Sequence, residues 1–188
     1  MKEQYVISIM SHDGIGIVQA VSHAINALGG EIADLRQSVL RGYFTMILLA
    51  AFDSSTTAPA IRERLARVRV PGIPPLEVSV IAAAEDAAKE EANPLANAYV
   101  LTASGAQQAG LVAKVSALCA ENGINILDLS TAVAQGRYIM ILIVDPGPLA
   151  GDIGQLHHKL ERFGAEHELT LVLQHYDVFR ATNEVGIR

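Results

Sequence analysis

The feature that most constrains this chain is that it repeats itself. Shifted so that Tyr5-Val6 falls on Tyr99-Val100, the sequence aligns with itself without a gap from Tyr5 to about Ala51. Gly16, Val18, Val21 and Ser22 then meet Gly110, Val112, Val115 and Ser116, and Gly29 meets Gly123. Ile32, Asp34 and Leu35 meet Ile126, Asp128 and Leu129, and Met46-Ile47-Leu48 meets Met140-Ile141-Leu142. About a third of the aligned positions are identical, beyond chance for a gapless register, and the period is too long for a solenoid. The 188 residues are therefore expected to hold two copies of one small domain.

Each copy reads in the same order. Tyr5–Met10 is a short strand-like run, followed by the turn Ser11-His12-Asp13-Gly14-Ile15-Gly16. Ile17, Val18, Val21, Ile25 and Leu28 then recur at helical spacing, and Gly29-Gly30 supplies the left-handed backbone of a helix end. Glu31–Leu40 and Tyr43–Phe52 read as two strands joined by a tight Arg41-Gly42 hairpin. Ile61, Leu65 and Val68 mark a second helix, stopped by Pro71-Gly72-Ile73-Pro74-Pro75, and Leu76–Ile81 is a last strand. The second copy gives a strand over Asn97–Ser104 and a helix over Leu111–Glu121 closed by Asn122-Gly123. A hairpin of Asn125–Ala134 and Tyr138–Asp145 follows, then a helix striped by Leu149, Ile153, Leu156, Leu160 and Phe163 and capped at Gly164, then a strand over Leu169–Gln174. These boundaries predict one domain over residues 1–83, a linker over 84–96, and a second domain with a C-terminal tail over 97–188.

A βαββαβ order closes into a four-stranded antiparallel sheet with two helices on one face, an α+β architecture. The strand Tyr43–Phe52 is apolar on both sides, with Phe44, Met46 and Leu48 on one and Thr45, Ile47 and Leu49 on the other. A strand with one wet face should alternate cleanly. The helix-free faces are thus expected to be buried by the other half or by a second chain.

Duplicated units of this order, with a glycine where the first helix begins, resemble ACT domains, which are ferredoxin-like. Asp13-Gly14-Ile15-Gly16-Ile17-Val18 resembles the family's Asp-Arg-Pro-Gly-Ile-Val turn, with Gly14 and Ile15 in place of Arg and Pro. Leu28-Gly29-Gly30-Glu31-Ile32 and Asn122-Gly123-Ile124-Asn125-Ile126 resemble its Gly-x-Asn-Ile segment at the start of the second strand. Two such domains and little else are similar to the glycine cleavage system transcriptional repressor family. Gln37–Met46 and the tail His175–Ala181 are similar to the single-domain ACT proteins. The resemblance implies sensing of an amino acid or another small ligand between ACT domains. There the first turn of one faces the early second strand of another, and the effect passes to a regulator protein.

The candidate ligand-binding residues are accordingly His12, Asp13, Gly14, Ile15, Gly16 and Ile17, with Glu31 and Ile32. Gly110, Leu111, Asn125 and Ile126 are their counterparts in the second copy. A helix N-terminus carries unpaired N–H groups and partial positive charge, which suits a ligand carboxylate. Gly14 and Gly16 would let backbone come close to it. Asp13 would either cap the helix or take a ligand ammonium, and Asn125 would either shape the turn or bind both ligand ends. Ala106-Gln107-Gln108-Ala109-Gly110 keeps the glycine but loses the acid, so the two sites should differ. Asp34 and Asp128, unfavourable in strands by propensity, either bond nearby backbone or face a site.

Other function classes have little to stand on. Net charge is −6, which disfavours direct nucleic-acid binding. Arg62, Arg64, Arg67 and Arg69 are interrupted by Glu63 and spread around a helix axis, so they read as a solvated face. One cysteine, Cys119, excludes an internal disulfide and suits a cytoplasmic protein. It aligns with Ile25, a core-stripe position. The start of the chain does not resemble a signal peptide, and no apolar run approaches the ~18 residues of a membrane span. His12, His23, His157, His158, His167 and His175 form no metal-ligand spacing. No phosphate loop, dinucleotide fingerprint or serine elbow is present, so no cofactor and no enzymatic reaction are expected. The partners expected are a free amino acid or similar small anion, a regulator protein and a second copy in a homodimer. The rival expectation is a constitutive dimeric interaction module with no ligand. A weaker one is an enzyme using His12 and Asp13.

Overall fold

The structure is a computed structural model and describes residues 2–84, 95–106, 109–134, 136–147 and 152–183. Most of the expected linker lies outside the described residues. The chain divides into two compact units, Met1–Lys89 and Glu90–Arg188.

The first unit runs β1 (Lys2–His12), α1 (Ile17–Ala27), β2 (Glu31–Leu40), β3 (Tyr43–Asp53), α2 (Ala58–Ala66) and β4 (Glu77–Ala82). Its antiparallel sheet has the order β2-β3-β1-β4. Alternation decides the core face: Tyr5, Ile7 and Ile9 of β1 and Phe44, Met46, Leu48, Ala50 and Phe52 of β3 are buried. Ile17, Val21, Ala24 and Ile25 of α1 and Ile61 and Leu65 of α2 pack on that same face. Burying each of the larger side chains stabilises by about 1.5–3 kcal/mol before chain entropy is counted. The opposite face carries Val6, Met10, Ile47, Leu49 and Ile81, with Ile47 51% and Ile81 60% exposed.

The second unit runs β5 (Tyr99–Ala106), α3 (Leu111–Glu121), β6 (Asn125–Ala134), β7 (Arg137–Asp145), α4 (Ile153–His167), β8 (Leu169–His175) and α5 (Tyr176–Asn183). The sheet order β6-β7-β5-β8 repeats the first. Leu101, Ala103, Leu111, Val115, Cys119, Met140, Leu142, Leu156 and Leu160 form its core. Cys119 is buried there, and burial pushes its thiol pKa up. Two fourfold sheets, each with two helices on one face, are the α+β ferredoxin-like arrangement that the sequence order implies.

Three local features differ from the sequence expectation. α4 does not stop at Gly164. It continues to His167 and ends at Glu168 in the left-handed region, φ 56°. Gly164 faces the sheet instead: a Cβ there would lie 2.6 Å from the Leu169 carbonyl oxygen. The tail after β8 forms the helix α5, whose first N–H (Tyr176) donates to the Ala98 carbonyl at 2.9 Å. Finally, β2 carries an extra residue between Ile32 and Asp34, and β6 one between Ile126 and Asp128. At the first bulge the Leu35 N–H donates to Asp34 Oδ1 at 2.8 Å, which is the backbone-bonding role for that aspartate.

Candidate functional site

β1 ends at His12, and four residues carry the chain into α1. The Asp13 N–H donates to the Gly42 carbonyl at 2.8 Å, tying this turn to the β2–β3 hairpin. The hairpin itself turns through Arg41 (φ 51°) and Gly42 (φ 85°). His12 sits edge-on to Tyr43, its partner in register, with ring centroids 5.2 Å apart. Ser11 is buried and donates from Oγ to the His12 carbonyl at 2.8 Å.

α1 begins at Gly16, which takes φ 97°, and no side chain caps it. Asp13 therefore does not play the capping role; it is exposed, and its backbone is engaged by the hairpin. Gly16 offers no side chain to the N–H groups of the first helical turn, Ile17, Val18 and Gln19. Ile17 is buried in the core and holds the turn down, while Ile15 is 100% exposed. The second unit starts α3 in the same way: Gly110 takes φ 77°, no side chain caps it, and Leu111 is buried. Gln107 and Gln108 lie outside the described residues.

Two wall residues of the first turn were not foreseen from sequence. A Cβ on Gly14 would lie 2.3 Å from Ile73 Cδ1, so the Cβ side of Gly14 is filled by packing. Val70 Cγ1 stands 3.7 Å from the Cβ position of Gly16. Both come from the segment after α2, where the Ile73 N–H donates to the Val70 carbonyl at 3.1 Å. The proline-rich stretch there reads in sequence only as a helix stop. Its signal is the pair of aliphatic residues flanking Pro71-Gly72.

The other candidates lie elsewhere. Glu31 opens β2 opposite Ala51, which pairs with Gln4, while the turn follows His12. Eight strand residues separate these rows, or roughly 27 Å. Glu31 is exposed and ion-paired with Lys2 Nζ at 2.7 Å. The ammonium holds the Glu31 carboxyl below its ordinary pKa, through the hydrogen bond first and the charge second. Ile32 is half-buried beside it. In the second unit Asn125 opens β6 opposite Asp145, again at the far end of the sheet from Gly110, with Ile126 half-buried. Within one unit the turn and the second-strand residues cannot share a small ligand.

Among the described residues no group of three or more His, Cys, Asp or Glu side chains is placed to hold a metal ion. Among them also, no helix is long and apolar enough to cross a membrane. The basic run dissolves into local structure: Arg67 pairs with Glu63, and Arg69 Nη1 donates to the Ala66 and Val68 carbonyls at 2.8 and 2.9 Å.

The profile of the ACT domain matches residues 3–69 and again residues 97–174. The chain belongs to the ACT-domain family. Its two ACT units correspond to the two matched segments. The chain is 35% identical to a UPF0237 protein of Methanopyrus kandleri over 86 residues, 46% of this chain and 96% of that protein. It is 36% identical to one of Pyrobaculum aerophilum over 81 residues, 43% of this chain and 90% of that protein. Among solved structures, an unknown protein from Galdieria sulphuraria superposes with TM-score 0.72 at 24% identity, covering 93% of this chain and 98% of that one. A candidate glycine cleavage system transcriptional repressor superposes with TM-score 0.63 at 17% identity, covering 93% of this chain and 97% of that one. At these identities the two structures share the tandem ACT fold with this chain.

Proposed function

We propose that this tandem ACT protein is a regulator that binds a free amino acid or a similar small anionic ligand and passes the signal to a partner protein. The observation that carries this is the uncapped start of both first helices, each at a left-handed glycine, Gly16 and Gly110. Three backbone N–H groups and the positive end of the helix dipole at each start suit a carboxylate. In this reading His12, Asp13, Gly14, Ile15, Gly16 and Ile17 frame the first site and Gly110 and Leu111 the second. Glu31, Ile32, Asn125 and Ile126 lie too far from these turns within their own units and would meet such a ligand only from a second copy of the chain. Asp13, exposed and not capping, is free to meet a ligand ammonium. The fold shared with the candidate repressor supports an output through contacts with a regulator of amino-acid metabolism genes, in the cytoplasm and without direct DNA binding. A homodimer would cover the exposed Ile47 and Ile81.

The test is a thermal-shift screen of the common amino acids on the full chain. A ligand that binds the folded chain should raise the melting temperature by a few degrees or more as its concentration rises past Kd. Gly16→Val should remove or weaken the response while the chain stays folded. No shift across the panel would defeat the sensor.

One observation favours the second reading, a ligand-free dimeric interaction module. Ile15, Leu40, Tyr43 and Val39, at 100%, 72%, 54% and 49% exposed, gather where the turn meets the hairpin, and Ile73 already fills one side of Gly14. That module would assemble with rising concentration, seen by light scattering, and ignore small molecules.

A further inference from the structure

Two residues of the aspartate or asparagine type stand directly before a glycine in this chain, in Asp13-Gly14 and Asn122-Gly123. Such a pair is chemically fragile. Glycine has no Cβ to hinder attack, so its backbone nitrogen can close a five-membered ring on the preceding side-chain carbonyl carbon. The fold holds the two pairs in opposite ways.

Asn122 closes α3 and is half-buried. Its Nδ2 donates to the Leu118 carbonyl at 2.8 Å, and its Oδ1 accepts from Lys159 Nζ at 2.6 Å. The Gly123 N–H donates to the Ala120 carbonyl at 3.1 Å. Ring closure would swing the side chain onto that nitrogen and break all three hydrogen bonds. One of them comes from an ammonium, the stronger kind.

Asp13 lacks these restraints. It is exposed, in the irregular stretch between β1 and α1. Its own N–H is tied to the Gly42 carbonyl. Among the described residues, however, no hydrogen bond or ion pair engages its carboxylate, and none engages the Gly14 N–H that would attack it. The internal repeat shows that neither pair is required by the fold. Gln107-Gln108 aligns with Asp13-Gly14, and Leu28-Gly29 with Asn122-Gly123.

We propose that Asp13-Gly14 is a site of spontaneous isoaspartate formation in the folded protein, and that the hydrogen bonds around Asn122 shield Asn122-Gly123 from the same chemistry. The Gly14 nitrogen bonds to Cγ of the protonated Asp13 carboxyl, and the hydroxyl leaves with the amide hydrogen as water. Solvent water then opens the cyclic imide. Opening at Cγ restores aspartate. Opening at the Asp13 carbonyl carbon leaves the chain running through Cβ and Cγ, longer by one methylene. At Asn122 the same attack would expel ammonia. The added carbon lengthens the turn that leads to Gly16, so the mark falls where α1 begins. The reaction needs no ligand and stands independently of the function proposed above.

Peptide mapping of the full chain, aged for weeks at neutral pH, tests it, with electron-transfer fragmentation to tell isoaspartate from aspartate. In the folded protein isoaspartate should accumulate at residue 13 while Asn122 keeps its amide. In guanidinium chloride the order should reverse, because an asparagine amide expels ammonia directly whereas a carboxylate must first take up a proton. Conversion of Asn122 should rise at least ~10-fold on unfolding. Asp13→Glu, a change at an exposed side chain, should remove the isoaspartate, because its ring would be six-membered and closes far more slowly. Absence of isoaspartate at residue 13 of the folded chain, its persistence in Asp13→Glu, or conversion of Asn122 as fast in folded as in unfolded protein would each overturn the proposal.

Discussion

Replacing Gly16 by alanine isolates the strain that the first turn imposes. Gly16 sits at φ 97° with ψ −4°, a conformation that costs an L-residue about 1–2 kcal/mol. The new methyl meets no hard obstacle, because its nearest neighbour, Val70 Cγ1, stands 3.7 Å away at ordinary contact distance. The whole penalty is therefore conformational, about 1–2 kcal/mol. For a unit of this size that lowers the melting temperature by roughly 4–16 °C. Asparagine, which tolerates the left-handed region, should recover part of the loss, and valine should fare worst. Gly110→Ala is the matched control. Its φ is 77°, nothing lies within 4 Å of the added Cβ, and the same loss should appear in the second unit. Urea unfolding followed by far-ultraviolet circular dichroism, with amide spectra assigning each transition to its unit, measures both. The losses remain small beside the 5–15 kcal/mol typical of a domain, so the variants stay folded for ligand measurements. A Gly16→Ala loss below ~0.5 kcal/mol, or alanine as stable as asparagine, would show that the left-handed turn is not imposed.

Three further outcomes follow from other positions. Gly164→Ala would place a Cβ 2.6 Å from the Leu169 carbonyl oxygen, a backbone atom that cannot swing away, and should destabilise the second unit by about 1–3 kcal/mol in the same urea assay. Arg41 holds φ 51° in the β2–β3 turn, where asparagine before glycine is preferred, so Arg41→Asn should stabilise the first unit by up to ~1 kcal/mol; a loss would show that Arg41 makes a compensating contact. Cys119 is 1% exposed with its thiol pKa raised by burial, so an aromatic disulfide reagent should label it at the rate of unfolding; prompt stoichiometric labelling of native protein would contradict the packing.

The parts of this fold that were legible in sequence are those written as periodicity and as a repeat. Ile17, Val21 and Ile25 fix the buried stripe of α1 because helical spacing leaves them no other common face. Arg41-Gly42 and Gly29-Gly30 mark real turns because they adopt, or flank, left-handed backbone that few residues take cheaply. Gly164 misled because one residue type serves two purposes. Near a helix end it reads as a stop, yet its use is close approach to β8, a tertiary fact. The α5 helix was missed because it is only eight residues long and follows β8 directly, with no glycine or proline to mark where the strand stops. The turn glycines were visible, but Val70 and Ile73 around them were not, since contacts across some sixty residues leave no local pattern. The long separation of Glu31 from Gly16 became plain only once β1 and β3 were in register.

The extra residue in β2 and its counterpart in β6 have a consequence for how the molecule behaves in a crowded solution. Both strands lie at the margins of their sheets, where a straight run of unpaired amides would act as a template for endless addition of like chains. The insertion breaks that run near its beginning in each copy and sharpens the local twist. An outward-facing aspartate next to each insertion, Asp34 and Asp128, sets a charge against a flat incoming strand. The irregularity, present in both copies, thus works against edge-to-edge addition of like strands in each unit.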